Sequence, residues 1–275
     1  MKNQPPLAIK KMEPQRSELT ALLEHFQNKQ YDEAERLALG LTDKFKTHPF
    51  GWKVLGAVFN KTGRLSEGLI ACQKSVELDP ENAENHNNLA NIFHKLDRLK
   101  EAEKSYKKVV ELTPENAEIY NSLGNIFNKS GKFYEAEKSY IKAIALNPNF
   151  AIAHNNLGVV LKKLGKGQDA ENSYKKAISL MPKFTNALIN KGQLLFENGQ
   201  FEEALSDFEL CDTKSSRSWT LSTLYALGRI NDIYKRINNK PEVDDTNLRI
   251  AAFAAFIANR EKKDTANNFC KNPLE

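Results

Sequence analysis

The chain has 275 residues and a formal net charge of +5, with 40% hydrophobic and 27% charged residues, 13 Gly, 10 Pro and 3 Cys. These proportions exclude a disordered or collagen-like chain. With a pI near 8.9, and with lysines interleaved with glutamates (Glu101 and Lys104, Glu135 and Lys138) rather than clustered among aromatics, the charge suits solvated helix faces, and no nucleic-acid partner is expected.

From the N-terminus, residues 1–16 are polar, carry Lys2, Lys10, Lys11 and Arg16 and contain no continuous apolar block. They predict a flexible lead into a cytoplasmic protein. The longest apolar stretch, Ile250 to Ala258, is about half of a bilayer span, so no membrane partner is expected. Cys72, Cys211 and Cys270 are odd in number and widely separated, which predicts buried free thiols rather than a disulfide framework or a zinc knuckle.

Between these ends the chain repeats. Ala34, Gly68, Ala102, Ala136, Ala170 and Ala204 fall at an unbroken spacing of 34. Pro80, Pro114, Pro148 and Pro182 recur at the same period, as do Gly63, Gly131, Gly165 and Gly199, with Asp97 in the missing slot. The Gly or Asp predicts a left-handed residue after a first helix, A, and the Pro a stop after a second, B. Apolar residues recur at helical intervals on A, for example Trp52, Leu55, Gly56 and Phe59, then Tyr120, Leu123, Gly124 and Phe127. On B the small-residue series is followed by Tyr106, Tyr140, Tyr174 and Phe208. Small residues on both stripes allow close helix approach, with the aromatic filling the adjoining gap.

The pattern resembles the tetratricopeptide repeat. It is clearest over residues 151–182, in Leu157, Gly158, Leu161, Ala170, Tyr174, Ala177 and Pro182, and it covers about Glu18 to Ser216. Full repeats begin near residues 49, 83, 117, 151 and 185. The resemblance implies an all-α protein, a right-handed α-solenoid of stacked antiparallel helix pairs: a lead over 1–16, about six pairs over 17–216, and irregular capping helices over 217–275. Three departures stand out. The unit from Leu19 to Lys46 is expected to have a turn one residue shorter and lacks a closing Pro, while Lys191 and Ser216 replace an expected Leu and Pro.

In that family, positions 2, 5, 6, 9, 12 and 13 of helix A face the concave groove. Carried onto this chain, they place Asn87, Asn121 and Asn155 in the fifth slot, Asn88, Ser122, Asn156 and Asn190 in the sixth, and Asn91, Asn125 and Gln193 in the ninth. A ladder of amides, each a donor and an acceptor, would grip the backbone of an extended peptide whatever its side chains. The ladder resembles that of the repeat arm of protein O-linked N-acetylglucosamine transferase. The alternative is that Asn merely suits a solvated face, although Asn is a mediocre helix former. Lys95, Lys129 and Lys163, in the thirteenth slot, would favour an acidic ligand segment. As simple partners of the helix dipole they would do no more than solubilise. Lys53 is followed by Ala57 four residues on, which disfavours a carboxylate clamp for chaperone tails.

No catalytic residue, metal site or cofactor is expected. The five histidines form no ligand motif, and His86 and His154 read as core residues two repeats apart. Helical patterning continues past Ser216 through Trp219, Leu224 and Ile233. A final helix beyond Asp245 is apolar on almost all sides over residues 248–258, which predicts burial by fold-back, by self-association or by a further domain. The segment from Arg249 to Pro273 resembles the junction of bacterial proteins that join such repeats to a 2-oxoglutarate- and iron-dependent oxygenase domain, and Leu274 and Glu275 read as a cloning scar. Two functions follow: a non-catalytic scaffold binding protein or peptide segments, or the substrate-recruiting arm of a longer oxygenase or glycosyltransferase.

Overall fold

The computed structural model describes residues 13–239, which form fourteen α-helices and no strand. They fall in two compact units, one ending at Leu146 and one beginning at Asn147. The first holds α1 (Arg16–Gln27), α2 (Tyr31–Lys44), α3 (Pro49–Thr62), α4 (Leu65–Leu78), α5 (Ala83–Lys95), α6 (Leu99–Leu112), α7 (Ala117–Lys129) and α8 (Phe133–Leu146). The second holds α9 (Ala151–Lys163), α10 (Gly167–Leu180), α11 (Thr185–Glu197), α12 (Phe201–Glu209), α13 (Lys214–Ala226) and α14 (Ile230–Asn239). Odd-numbered helices are the A members of pairs. Within each unit a B helix packs on its own A helix and on the A helix that follows, so each unit is a stack of helix pairs.

The punctuation works as local chemistry predicts. Gly131, Gly165 and Gly199 sit at φ 74°, 75° and 78°, and Asp97 takes the same left-handed conformation at 60°. Each lets the next amide reach back to helix A: Arg98, Lys132, Lys166 and Gln200 each donate over 2.9 Å to the carbonyls of Phe93, Phe127, Leu161 and Leu195. At the other end Asp79, Thr113 and Met181, each preceding a Pro, leave the helical region at φ −144°, −138° and −140°, and helix B stops there. Asn82 and Asn116 then cap α5 and α7 through their side-chain oxygens.

Close packing follows. A Cβ on Gly124 would meet the Tyr140 ring at 2.6 Å, one on Gly158 the Tyr174 ring at 2.6 Å, and one on Gly192 the Phe208 ring at 2.6 Å. Ala34, Ala102, Ala136, Ala170 and Ala204 are fully buried. Burying each aromatic contributes roughly 2–3 kcal/mol.

Two expectations are corrected. The first unit's turn is not shortened: Lys29, at φ 61°, stands 34 residues before Gly63, and Gln30 N donates to His25 O at 2.9 Å as in the later repeats. A non-glycine left-handed residue hides the register. Nor does the pairing lapse after Ser216. Helix α12 has 9 residues where α10 has 14, and the next left-handed glycine, Gly228 (φ 69°), arrives five residues early. The pair α13–α14 is therefore a seventh pair in the described residues, and the predicted boundary at 216/217 falls inside α13. Ser216 is fully buried and completes a capping box with Thr213. The predicted 248–258 helix, the self-association assigned to it, the junction resemblance and most of the 1–16 lead lie outside the described residues.

Lys191, the departure from Leu, makes an ion pair with Asp207 at 2.9 Å, their side chains 18% and 8% exposed. Burial raises the Asp207 carboxyl, Lys191 opposes that, and Oδ2 has no partner. Two outcomes are expected. Lys29→Gly should stabilise the protein by about 0.5–1 kcal/mol in urea unfolding by relieving the left-handed strain. Lys191→Met should cost about 3 kcal/mol at neutral pH by leaving a buried carboxylate unpaired. Because the folded carboxyl is raised above its unfolded value, the folded state takes up the proton first. The deficit should therefore shrink as pH falls towards the acid range, and Lys191→Met with Asp207→Leu should abolish that dependence.

Candidate functional site

The A-helix faces carry the amides that the repeat pattern places in line, and the structure divides them into three groups. In the first unit Tyr106 on α6 donates its hydroxyl hydrogen to Asn91 Oδ1 on α5 at 2.6 Å, and Tyr140 on α8 donates to Asn125 Oδ1 on α7 at 2.7 Å. Ser122 also bonds the Tyr106 hydroxyl, and burial pushes that group up to about 12. The Tyr140 hydroxyl is raised further for the same reason. These two ninth-slot asparagines thus tie helix A to helix B.

Other members of the ladder are internal. Asn121 and Asn155 are buried, and Asn155 accepts from Asn190 Nδ2 at 2.9 Å while donating to Asn156 at 3.3 Å, all within the second unit. Asn87 and Asn88 differ: both are half-buried on α5, and neither side chain has a hydrogen-bond partner among the described residues. Gln193 on α11 is likewise half-buried and without a side-chain partner.

The thirteenth-slot lysines are exposed, and two of them bridge repeats. Lys95 donates to the Asn60 carbonyl at 2.7 Å, at the negative end of α3, and Lys129 pairs with Asp97 at 2.7 Å. Burial first, then the charge of Lys129, lowers the neighbouring His94 from its ordinary value. Lys163 lies in the second unit on a pocket of about 330 Å³, with Val159, Lys162, Tyr174, Asn190 and Gln193.

Among the described residues no group of three His, Cys, Asp or Glu could hold a metal ion. His86 and His154, expected in the core, are half-buried and do a shared structural job: each Nε2 bonds a loop carbonyl, Pro80 O at 2.8 Å and Pro148 O at 3.0 Å. Cys72 is a buried free thiol pushed up to about 12 by burial, and Cys211 is a half-buried free thiol; Cys270 lies outside the described residues. No described helix is long and apolar enough to cross a membrane.

The sequence reading treated the helix-B tyrosines as packing rings and missed their hydroxyls. The signal was present: Asn91 and Tyr106, like Asn125 and Tyr140, are 15 residues apart. The same interval from Val159 leads to Tyr174, and from Gln193 to Phe208, where the pairing is lost.

Models of the tetratricopeptide repeat match residues 71–104, 151–184 and 185–213, and a TPR-repeat model matches 90–131 and 124–165; together they span more than half of the chain. The structure is similar to that of MamA, with 29% identity and a TM-score of 0.53 over 57% of this chain and 91% of that one. It is also similar to pilF of Pseudomonas aeruginosa, with 19% identity and a TM-score of 0.61 over 75% and 96%. A third likeness is to YrrB, a TPR protein with an unusual peptide-binding site, with 19% identity and a TM-score of 0.55 over 70% and 96%. The last two likenesses, at such identity, show the fold alone. No curated protein matches the sequence. With its left-handed turns, its small residues under helix-B aromatics and these matches, the chain belongs to the tetratricopeptide-repeat family, whose members mediate protein–protein interactions.

Proposed function

We propose that this chain is a non-catalytic scaffold that binds extended peptide segments of partner proteins along its A-helix faces. The observation that carries this reading is the pair Asn87 and Asn88, half-buried amides with no partner among the described residues. Each presents a donor and an acceptor, the complement of a peptide unit. Asn91, a turn further along α5, is held by Tyr106 through Oδ1, which aims its amide nitrogen for a third contact. Each such bond adds roughly 0.5–1.5 kcal/mol, so micromolar affinity requires several together. The likeness of the ladder to the repeat arm of O-linked N-acetylglucosamine transferase supports the same mode.

An acidic bias in the ligand is the finer part of the proposal. In the first unit Lys95 and Lys129 are engaged in repeat-to-repeat ties, so there they would steer an acidic segment by field rather than by direct contact.

The test is an array of 15-residue peptides, drawn from the source proteome and probed with the full chain and with the Asn87→Ala, Asn88→Ala variant. A subset of peptides should be retained by the native chain, and the variant should bind them at least about tenfold more weakly with little change in melting temperature, since no internal bond is lost. Equal retention by both proteins would overturn the reading.

A further inference from the structure

The tyrosine–asparagine tie of the first unit is broken twice in the second unit. In the repeat starting at 151 the tyrosine stays, as Tyr174, but its partner position holds Val159. Tyr174 is 1% exposed, and its hydroxyl has no hydrogen-bond partner among the described residues. In the repeat starting at 185 the amide stays, as Gln193, but the ring is Phe208, which has no hydroxyl, and Gln193 is unpartnered too. Both orphaned groups line the 330 Å³ pocket between α9, α10 and α11. The ring is buried but the hydroxyl opens on the pocket, where a group entering from outside can accept its hydrogen.

The remaining lining defines that group. Lys162 and Lys163 add two ammonium groups. Glu197 pairs with Lys162 at 2.6 Å and leaves that ammonium two further hydrogens. Burial, and after it the charge of Glu197, raises the Tyr174 hydroxyl, so at neutral pH it is a donor. Val159 supplies an apolar wall against which the methylenes of a side chain can lie. The donors of Tyr174, Gln193 and Lys162 beside one apolar wall match a short carboxylate-bearing side chain better than a neutral one.

We propose that this pocket is a specificity subsite that receives an aspartate or glutamate side chain of the bound peptide, with the Tyr174 hydroxyl and the Gln193 amide donating to its carboxylate. The inference rests on the peptide-binding reading above and names a residue class that the ladder alone does not select. It also locates the acidic preference in the second unit.

The test uses the full chain with ¹⁵N labelling and two capped pentapeptides, acetyl-AAEAA-amide and its neutral counterpart acetyl-AAQAA-amide. The glutamate peptide should shift the Gln193 side-chain amide signals and bind roughly tenfold more tightly than the glutamine peptide, the gain expected for a charge-assisted bond. Tyr174→Phe should abolish that preference; the fold tolerates it, because Phe208 occupies the equivalent position one repeat later. Val159→Asn, which rebuilds the tie seen at Asn91 and Asn125, should abolish it as well by occupying the hydroxyl. Equal binding of the two peptides to the native chain, or a preference that survives both substitutions, overturns the subsite. If the signals of Asn87 and Asn88 respond to both peptides while no preference exists, the subsite fails alone. If neither peptide perturbs either face, the peptide-binding reading fails with it.

Discussion

Where a side chain at Gly124 would stand, the Tyr140 ring stands instead, and the same exchange recurs at Gly158 under Tyr174 and at Gly192 under Phe208. This contact sets how near the two helices of a repeat approach, and much else follows from it. Close approach brings the far edge of the ring through to the A-helix face, so a hydroxyl on that ring arrives among the groups facing outward on helix A. A larger residue at the eighth position of helix A would push the ring back. The packing that stabilises the pair also delivers polar atoms to the surface where a ligand would lie.

That delivery explains why position nine of helix A governs two properties at once. With Asn there, the tyrosine hydroxyl is bound and the asparagine is oriented, as at Asn91 and Asn125. With Val there, the hydroxyl keeps its place but loses its partner, as at Tyr174. One side chain thus converts a structural tie into an available donor without changing the helix packing around it. The second unit has made this change from both sides, losing the amide in one repeat and the hydroxyl in the next.

Much of the fold was legible because its punctuation depends on single residues with hard constraints. A proline cannot continue a helix, and a glycine accepts a left-handed turn at no steric cost, so both leave a mark at a fixed interval. Register was lost where another residue met the same constraint at some cost, as Lys29 does at φ 61°, or where a helix changed length, as α12 does. Lys191 signalled its own oddity, but its partner Asp207 lies 16 residues away on the paired helix, an interval that only the pair geometry makes meaningful. The candidate site was legible at the level of slots and not of partners. Slot positions cannot distinguish Asn155, bonded inside the unit, from Asn87, which is not.

The cost of asparagine in a helix makes that distinction informative. Asn gives up roughly 0.7 kcal/mol relative to the best helix formers, because its side chain competes for the backbone. At positions 91 and 125 the bond from a tyrosine hydroxyl offsets the cost, and at 155 the bond from Asn190 does so. At 87 and 88 no internal bond offsets it, and the two residues are adjacent on one half-buried face of α5. Neither capping nor ion pairing accounts for them, since α5 is capped by Asn82, and the charged partner of the preceding turn, Glu84, is paired with Lys53. In the peptide-binding proposal, a group that offers both a donor and an acceptor supplies that compensation from outside the molecule. A peptide backbone is such a group, and it recurs along an extended segment as the amides recur from one A helix to the next.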